Sequence, residues 1–202
     1  MRGQRAYFFA GICSAVVSVA VIAGGLLHSL SSDSRLPTAD LRYMPELQAL
    51  VAAGRLEDAS DELNMVSHLD PRNLLAIEMF ARVAGELGQH GRQLRALKML
   101  LLEDPDDPEL RLRYSRAVVD RARADGGAPP RRQLERAIAS ARLALRSDPD
   151  SAAAHETLGE AWLLLGDTEE AKRHLQEALR LDPTLESARR ELELAGGAGQ
   201  SS

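Results

Sequence analysis

An all-α fold of stacked helix pairs, preceded by one separate hydrophobic helix, is what this 202-residue sequence predicts. Three observations carry that prediction. Asp-Pro pairs recur at Asp70-Pro71, Asp104-Pro105, Asp148-Pro149 and Asp182-Pro183, with prolines 34, 44 and 34 residues apart. A period of about 20–50 residues marks a stacked repeat. Between those marks apolar residues follow amphipathic-helix spacing, as in the stripe Leu158, Ala161, Trp162 and Leu165. Ala, Leu, Arg and Glu dominate while aromatic residues make up only 3%, a mix that favours helices over strands.

The separate helix comes first. From Ala6 to Ser32 there is no Asp, Glu, Lys or Arg, and the apolar heart Tyr7 to Leu27 is 21 residues long. At 1.5 Å per residue that is roughly 31 Å of helix, the thickness of a bilayer core. Arg2 and Arg5 precede it, and positive charge stays cytoplasmic, which predicts a single-pass anchor with its N-terminus inside. The remainder then lies on the extracytoplasmic (periplasmic) side of an inner or plasma membrane. A cleaved signal peptide using Ser29-Leu30-Ser31 is the alternative, although its apolar region would run only about 7–15 residues. Cys13, the single cysteine, falls in this stretch, so no intramolecular disulfide or thiolate metal cluster is available. The boundaries expected are 1–30 for the anchor and 31–39 for a Ser-rich linker.

Four units follow, at 40–73, 74–107, 108–151 and 152–185, with a capping helix at 186–195 and a disordered tail at 196–202. Gly54, Gly88 and Gly166 stand where the first helix of a pair must stop, a place that favours positive φ. Ala59, Ala171 and Ala178 allow the paired helices to approach closely. Each proline blocks continuation of the second helix. The third unit is ten residues longer than its neighbours. Its surplus falls around Arg121 to Arg131 and includes Asp125-Gly-Gly-Ala-Pro-Pro130, an extended loop after a lengthened helix. Charged Arg189, Arg190, Glu191 and Glu193 suit the last helix to cover the apolar end of the array.

The last unit, with Leu158, Gly159, Ala161, Trp162, Gly166, Ala171, Leu175, Ala178 and Pro183, resembles the tetratricopeptide repeat almost position by position. His155 is its departure, standing where that family has Trp or another large apolar residue. The first unit resembles it at Tyr43, Leu47, Leu50, Gly54, Ala59, Leu63 and Pro71, and the second at Ile77, Phe80, Ala81, Ala84, Gly88, Leu97 and Pro105. The resemblance covers about 155 of the 202 residues. It implies a right-handed superhelix of four helix-turn-helix units with a concave groove lined by the first helix of each. By family register the exposed groove positions are Met44, Gln48, Val51, Glu78, Arg82, Glu86, Leu112, Arg116, Val119, Glu156, Glu160 and Leu163. Met44 and Gln48 occupy the places of the Lys/Asn clamp with which some relatives hold acidic chaperone tails, so that activity is not expected.

Motifs for chemistry are missing. No GxSxG, Walker-type GxxxxGK[ST] or GxGxxG occurs, so neither a serine nucleophile nor nucleotide binding is expected. Among His28, His68, His90, His155 and His174 none lies three or four residues from another, and no cofactor or metal is expected. His155 and His174 fall on opposite helices of the fourth unit, where they can approach each other. The acid pairs Asp106-Asp107 and Glu169-Glu170 lie at helix starts, facing the positive end of the helix dipole.

Charge is unevenly spread. Residues 40–109 hold 7 Lys/Arg against 14 Asp/Glu, residues 110–146 hold 10 against 3, and residues 147–202 hold 5 against 12. The third unit is therefore a basic island between acidic flanks, built mainly from Arg111, Arg113, Arg116, Arg121, Arg123, Arg131, Arg132 and Arg136. Such an island docks an acidic partner, lies on anionic lipid, or is a solvated face balanced by the adjacent acidic repeats. Nucleic acid is not an expected partner, given the extracytoplasmic placement and acidic flanks.

The expected function is a membrane-anchored scaffold or adaptor that binds a protein or peptide in its groove, serving assembly of an envelope complex. The resemblance implies related roles, including an apoprotein chaperone of cytochrome c maturation. A structural homo-oligomer is the alternative of a different class, and an enzyme is not expected.

Overall fold

The computed structural model describes residues 44–126 and 130–198. The anchor at 7–27, Cys13, the linker and Tyr43 lie outside the described residues. Among the described residues there are nine helices: α1 Met44–Ala52, α2 Leu56–Leu69, α3 Leu74–Glu86, α4 His90–Glu103, α5 Pro108–Ala124, α6 Arg131–Ser147, α7 Ala152–Leu165, α8 Thr168–Leu181 and α9 Glu186–Ala198. No strand occurs among the described residues, and no helix there is long and apolar enough to cross a membrane.

Helices pack as antiparallel neighbours in chain order, α1 with α2, α3 with α4, α5 with α6 and α7 with α8. Each pair also packs on the next. First helices α5 and α7 touch, as do α7 and α9, whereas second helices have no comparable contact with one another. This asymmetry brings α5, α7 and α9 together on one side, the inner face, and α1 and α3 are the corresponding first helices of the earlier pairs.

The corners repeat. Asp70, Asp104, Asp148 and Asp182 each end a second helix, with φ from −126° to −134° and ψ from 85° to 97°. The aspartate N–H still donates to the carbonyl four residues back, as at Asp70 to Val66 and Asp182 to Ala178. The following proline has no N–H to continue the ladder, so the helix stops there. Two residues past each of the first three prolines stands the N-cap of the next helix. Asn73, Asp107 and Ser151 accept from the backbone N–H of Ala76, Leu110 and Ala154. A cap of this type stabilises a helix by about 1 kcal/mol. Within the pairs, Gly54, Gly88 and Gly166 take φ of 72°, 66° and 84°. Gly126 at 59° serves the same turn in the third pair.

The core runs between the layers. Leu47, Leu63, Ile77, Phe80, Leu97, Leu134, Leu158 and Leu175 are fully buried, with Ala59, Ala171 and Ala178 at the tightest approaches. Removing a side chain such as Phe80 from such a place costs about 3–5 kcal/mol. Gly159 is a second kind of close approach, since a Cβ there would lie 2.6 Å from Leu175 Cγ. Arg142 lies 5.5 Å over the Trp162 ring and covers that half-buried indole.

Two element bounds differ from the sequence reading. The surplus of the third unit lengthens both of its helices, each 17 residues against 13 or 14 in the second and fourth pairs. Residues 127–129 of its loop lie outside the described residues. Helix α9 runs to Ala198 rather than 195, and Ala195 is buried within it.

Candidate functional site: the inner face

The lengthened α5 decides what the inner face looks like. From its middle Arg116 reaches α7, and from its extra turn Arg123 reaches across α7 to α9. Arg116 Nη1 donates to Glu156 Oε2 at 3.0 Å, and its Nε lies 3.3 Å from Asp120. Ser187 of α9 donates to the other oxygen of Glu156. Arg123 Nη1 stands 3.3 Å from Glu160, and its Nη2 donates to Glu191 of α9 at 2.8 Å. Three helices are thereby joined by one charged network.

At the centre of that network Glu160 is wholly buried. Both of its oxygens are within 3.3–3.6 Å of a guanidinium, yet neither receives an aligned hydrogen bond. Loss of water therefore outweighs the attraction of Arg116 and Arg123, and burial pushes its pKa up to about 7, with Glu156 and Asp120 adding repulsion. Arg116 moves the other way: burial alone would lower its pKa, but Glu160, Asp120 and Glu156 more than offset this and raise it.

Toward the N-terminal end the inner face is open. A hollow of about 360 Å³ lies between α1 and α3, lined by Gln48, Val51, Ala52, Leu75, Glu78, Met79 and Arg82. A second, of about 310 Å³, is lined by Gln93, Leu112, Arg113, Arg116, Ala153 and Thr157. Arg113 donates to Glu78 at 2.7 Å and forms the ridge between the two hollows. Arg82 is exposed in the first hollow, and Leu75 is exposed beside it.

The groove positions expected from the sequence therefore divide. Gln48, Val51, Glu78 and Arg82 line the first hollow, and Leu112 and Arg116 the second. Glu86 is exposed and Leu163 half-buried, and neither lines either of these two hollows. Met44, Val119, Glu156 and Glu160 are not exposed positions, as expected, but buried ones. Val119 packs with Leu158 and Ala161, Met44 joins the N-terminal core, and the two glutamates are covered by α5 and α9. Leu75, Met79, Gln93 and Thr157 line the hollows without having been singled out. Leu75, Met79 and Thr157 sit beside register positions on the same first helices, whereas Gln93 enters the second hollow from α4, a second helix that the register leaves out.

The basic island proves to be tied down. Arg113, Arg116 and Arg123 reach acids of the flanking units, at Glu78, Glu156, Glu160 and Glu191. Arg111, Arg121 and Arg131 pair locally with Asp106, Asp125 and Glu135. Arg132 and Arg136 are exposed at the start of α6.

Residues 152–185 match the family model of the tetratricopeptide repeat. The described helices have the fold of tetratricopeptide-repeat proteins, four stacked pairs and a closing helix. Among solved structures, the chain is similar to YrrB, described as a tetratricopeptide-repeat protein with an unusual peptide-binding site. It is 19% identical over 90% of this chain and 87% of that one, with a TM-score of 0.63. MamA is similar at 18% identity over 76% and 84%, with a TM-score of 0.61. The first repeat domain of Spaghetti (RPAP3), solved with an HSP90 peptide bound, is 20% identical over 65% and 97%, with a TM-score of 0.53. No curated protein sequence matches the chain.

Proposed function

We propose that this protein is a scaffold that holds a segment of another polypeptide in the inner-face hollow between α1 and α3. The observation that carries the reading is the contrast along one face. The C-terminal part is filled by the Arg116–Glu156 and Arg123–Glu160–Glu191 contacts. The N-terminal part leaves Val51, Leu75 and Met79 beside Gln48 and Arg82 with room for side chains. Apolar surface flanked by a few polar groups is what a peptide groove requires. Peptide binding by YrrB and by the Spaghetti repeat domain, which share the fold, supports the same reading.

The scaffold is anchored by residues 7–27, with its N-terminus in the cytoplasm and its repeats outside, where it serves assembly of an envelope complex. The charge-free 21-residue stretch behind Arg2 and Arg5 supports this placement. Holding the groove at the membrane raises its effective concentration near membrane-bound partners.

Capture from membranes with the full chain tests the groove. A variant carrying V51D and R82E is expected to lose the partner that wild type retains, while M65D on the exposed side of α2 keeps it. Equal capture by all three chains contradicts the assignment. A periplasm-active reporter fused after Ser202 is expected to work; activity only of a cytoplasmic reporter contradicts the topology.

A further inference from the structure

His155 on α7 and His174 on α8 bring their Nδ1 atoms to 3.1 Å, with ring centroids 5.3 Å apart. The second nitrogen of His155, Nε2, lies 3.3 Å from the carbonyl oxygen of Pro149. That oxygen only accepts, so Nε2 carries the proton and, in the neutral ring, Nδ1 of His155 presents a lone pair toward His174. This is the arrangement of a metal-ligating histidine, whose other ring N–H is held by a backbone carbonyl and whose free nitrogen is thereby aimed.

The geometry points to His155 and His174 as a two-histidine site for a late first-row divalent cation such as Zn²⁺ or Ni²⁺, clamping α7 to α8. With metal–nitrogen bonds of about 2.05 Å, nitrogens at this separation subtend an angle of roughly 100° at the metal, suited to tetrahedral or octahedral coordination. His174 needs only to carry its proton on Nε2 for both Nδ1 lone pairs to face the ion.

Surrounding charges act in both directions. Glu170 and Glu177 lie one turn before and after His174 on α8, and each interacts with the pair. Both are engaged by exposed arginines, Arg173 and Arg180, contacts that are weak in water and easily exchanged. Arg142 and Arg173 oppose a cation. Among the described residues no three metal-ligating side chains are gathered, so the protein supplies two ligands and water completes the shell. The site also accounts for a histidine at a place where a large apolar side chain is the rule in similar repeats.

Titrating the untagged full chain with zinc chloride tests this. Calorimetry is expected to give one saturable event per chain. Long-range ¹H–¹⁵N spectra of wild type are expected to show the ring nitrogens of His155 and His174 shifting while His68 and His90 stay in place. H155N and H174N are each expected to weaken binding by at least about tenfold, since even an outer partner's removal costs that much. Absence of a one-to-one event, shifts at other histidines alone, or unchanged binding in both variants overturns the site. The wild-type spectra decide the matter even where a variant folds poorly.

Discussion

Arg123 of α5 donates to Glu191 of α9 at 2.8 Å, 68 residues further along the chain, and the same guanidinium stands 3.3 Å from buried Glu160 of α7. One side chain thus fastens the closing helix to the inner face. R123A should release α9 first. The expected outcome is a stability loss of about 1–3 kcal/mol in urea unfolding, from a charge-assisted bond and a buried carboxylate left short of a partner. Hydrogen exchange should accelerate within 186–198 more than within α3 or α4. Uniform acceleration across all helices contradicts the fastening role.

Glu160 makes stability fall as pH rises. Its folded pKa of about 7 is above the ordinary 4.5, so the folded state holds the proton more tightly than the unfolded chain. The contribution is fully present below pH 4.5 and lost as pH climbs through 7, a span of about 3 kcal/mol at most. The groups facing Glu160 are Arg116, Asp120 and Arg123 from α5 and Glu156 from its own helix. E160Q keeps the shape without the titration. Urea midpoints at pH 5 and pH 8 should converge in E160Q relative to wild type; an unaltered pH slope contradicts this reading.

Gly159 sets two effects against each other. Alanine improves helix propensity by about 1 kcal/mol, but its Cβ would meet Leu175 at 2.6–2.8 Å and the Ala171 carbonyl at 3.3 Å. Overpacking of that kind costs about 1–3 kcal/mol. The clash wins, and G159A is expected to be less stable than wild type by about 1 kcal/mol in thermal or urea unfolding.

Gly166, the left-handed C-cap of α7 at φ 84°, faces open space, so only its backbone is at stake. G166A should lose about 1 kcal/mol through strain alone. A double variant of Gly159 and Gly166 should show near-additive losses, since one is a packing clash and the other a torsional cost.

How far the sequence reached can be judged from particular residues. The Asp-Pro corners were legible because they act on the chain itself: proline cannot donate, aspartate closes the turn, and Asn73, Asp107 and Ser151 restart the helix. Gly54, Gly88 and Gly166 were legible for the same local reason. Glu156 and Glu160 were not. Helical register gave the side of α7 on which they stand, which is the inner side, but not what reaches over them. That depends on Arg116 in the middle of α5, on Arg123 in its extra turn, and on Ser187 and Glu191 of α9 folding back. The basic island shows the same limit. Its surplus was visible as a count, whereas its neutralisation depends on acids 35 to 68 residues away in the chain.

The central claim is that the hollow between α1 and α3 holds a partner polypeptide. Site-specific photocrosslinking in intact membranes tests it most directly, with the photoreactive group placed at Gln48 or Arg82 on the inner face, or at Met65 on the exposed side of α2. The account predicts that Gln48 and Arg82 capture the same polypeptide and Met65 does not. Capture from Met65 with none from Gln48 or Arg82 would contradict it.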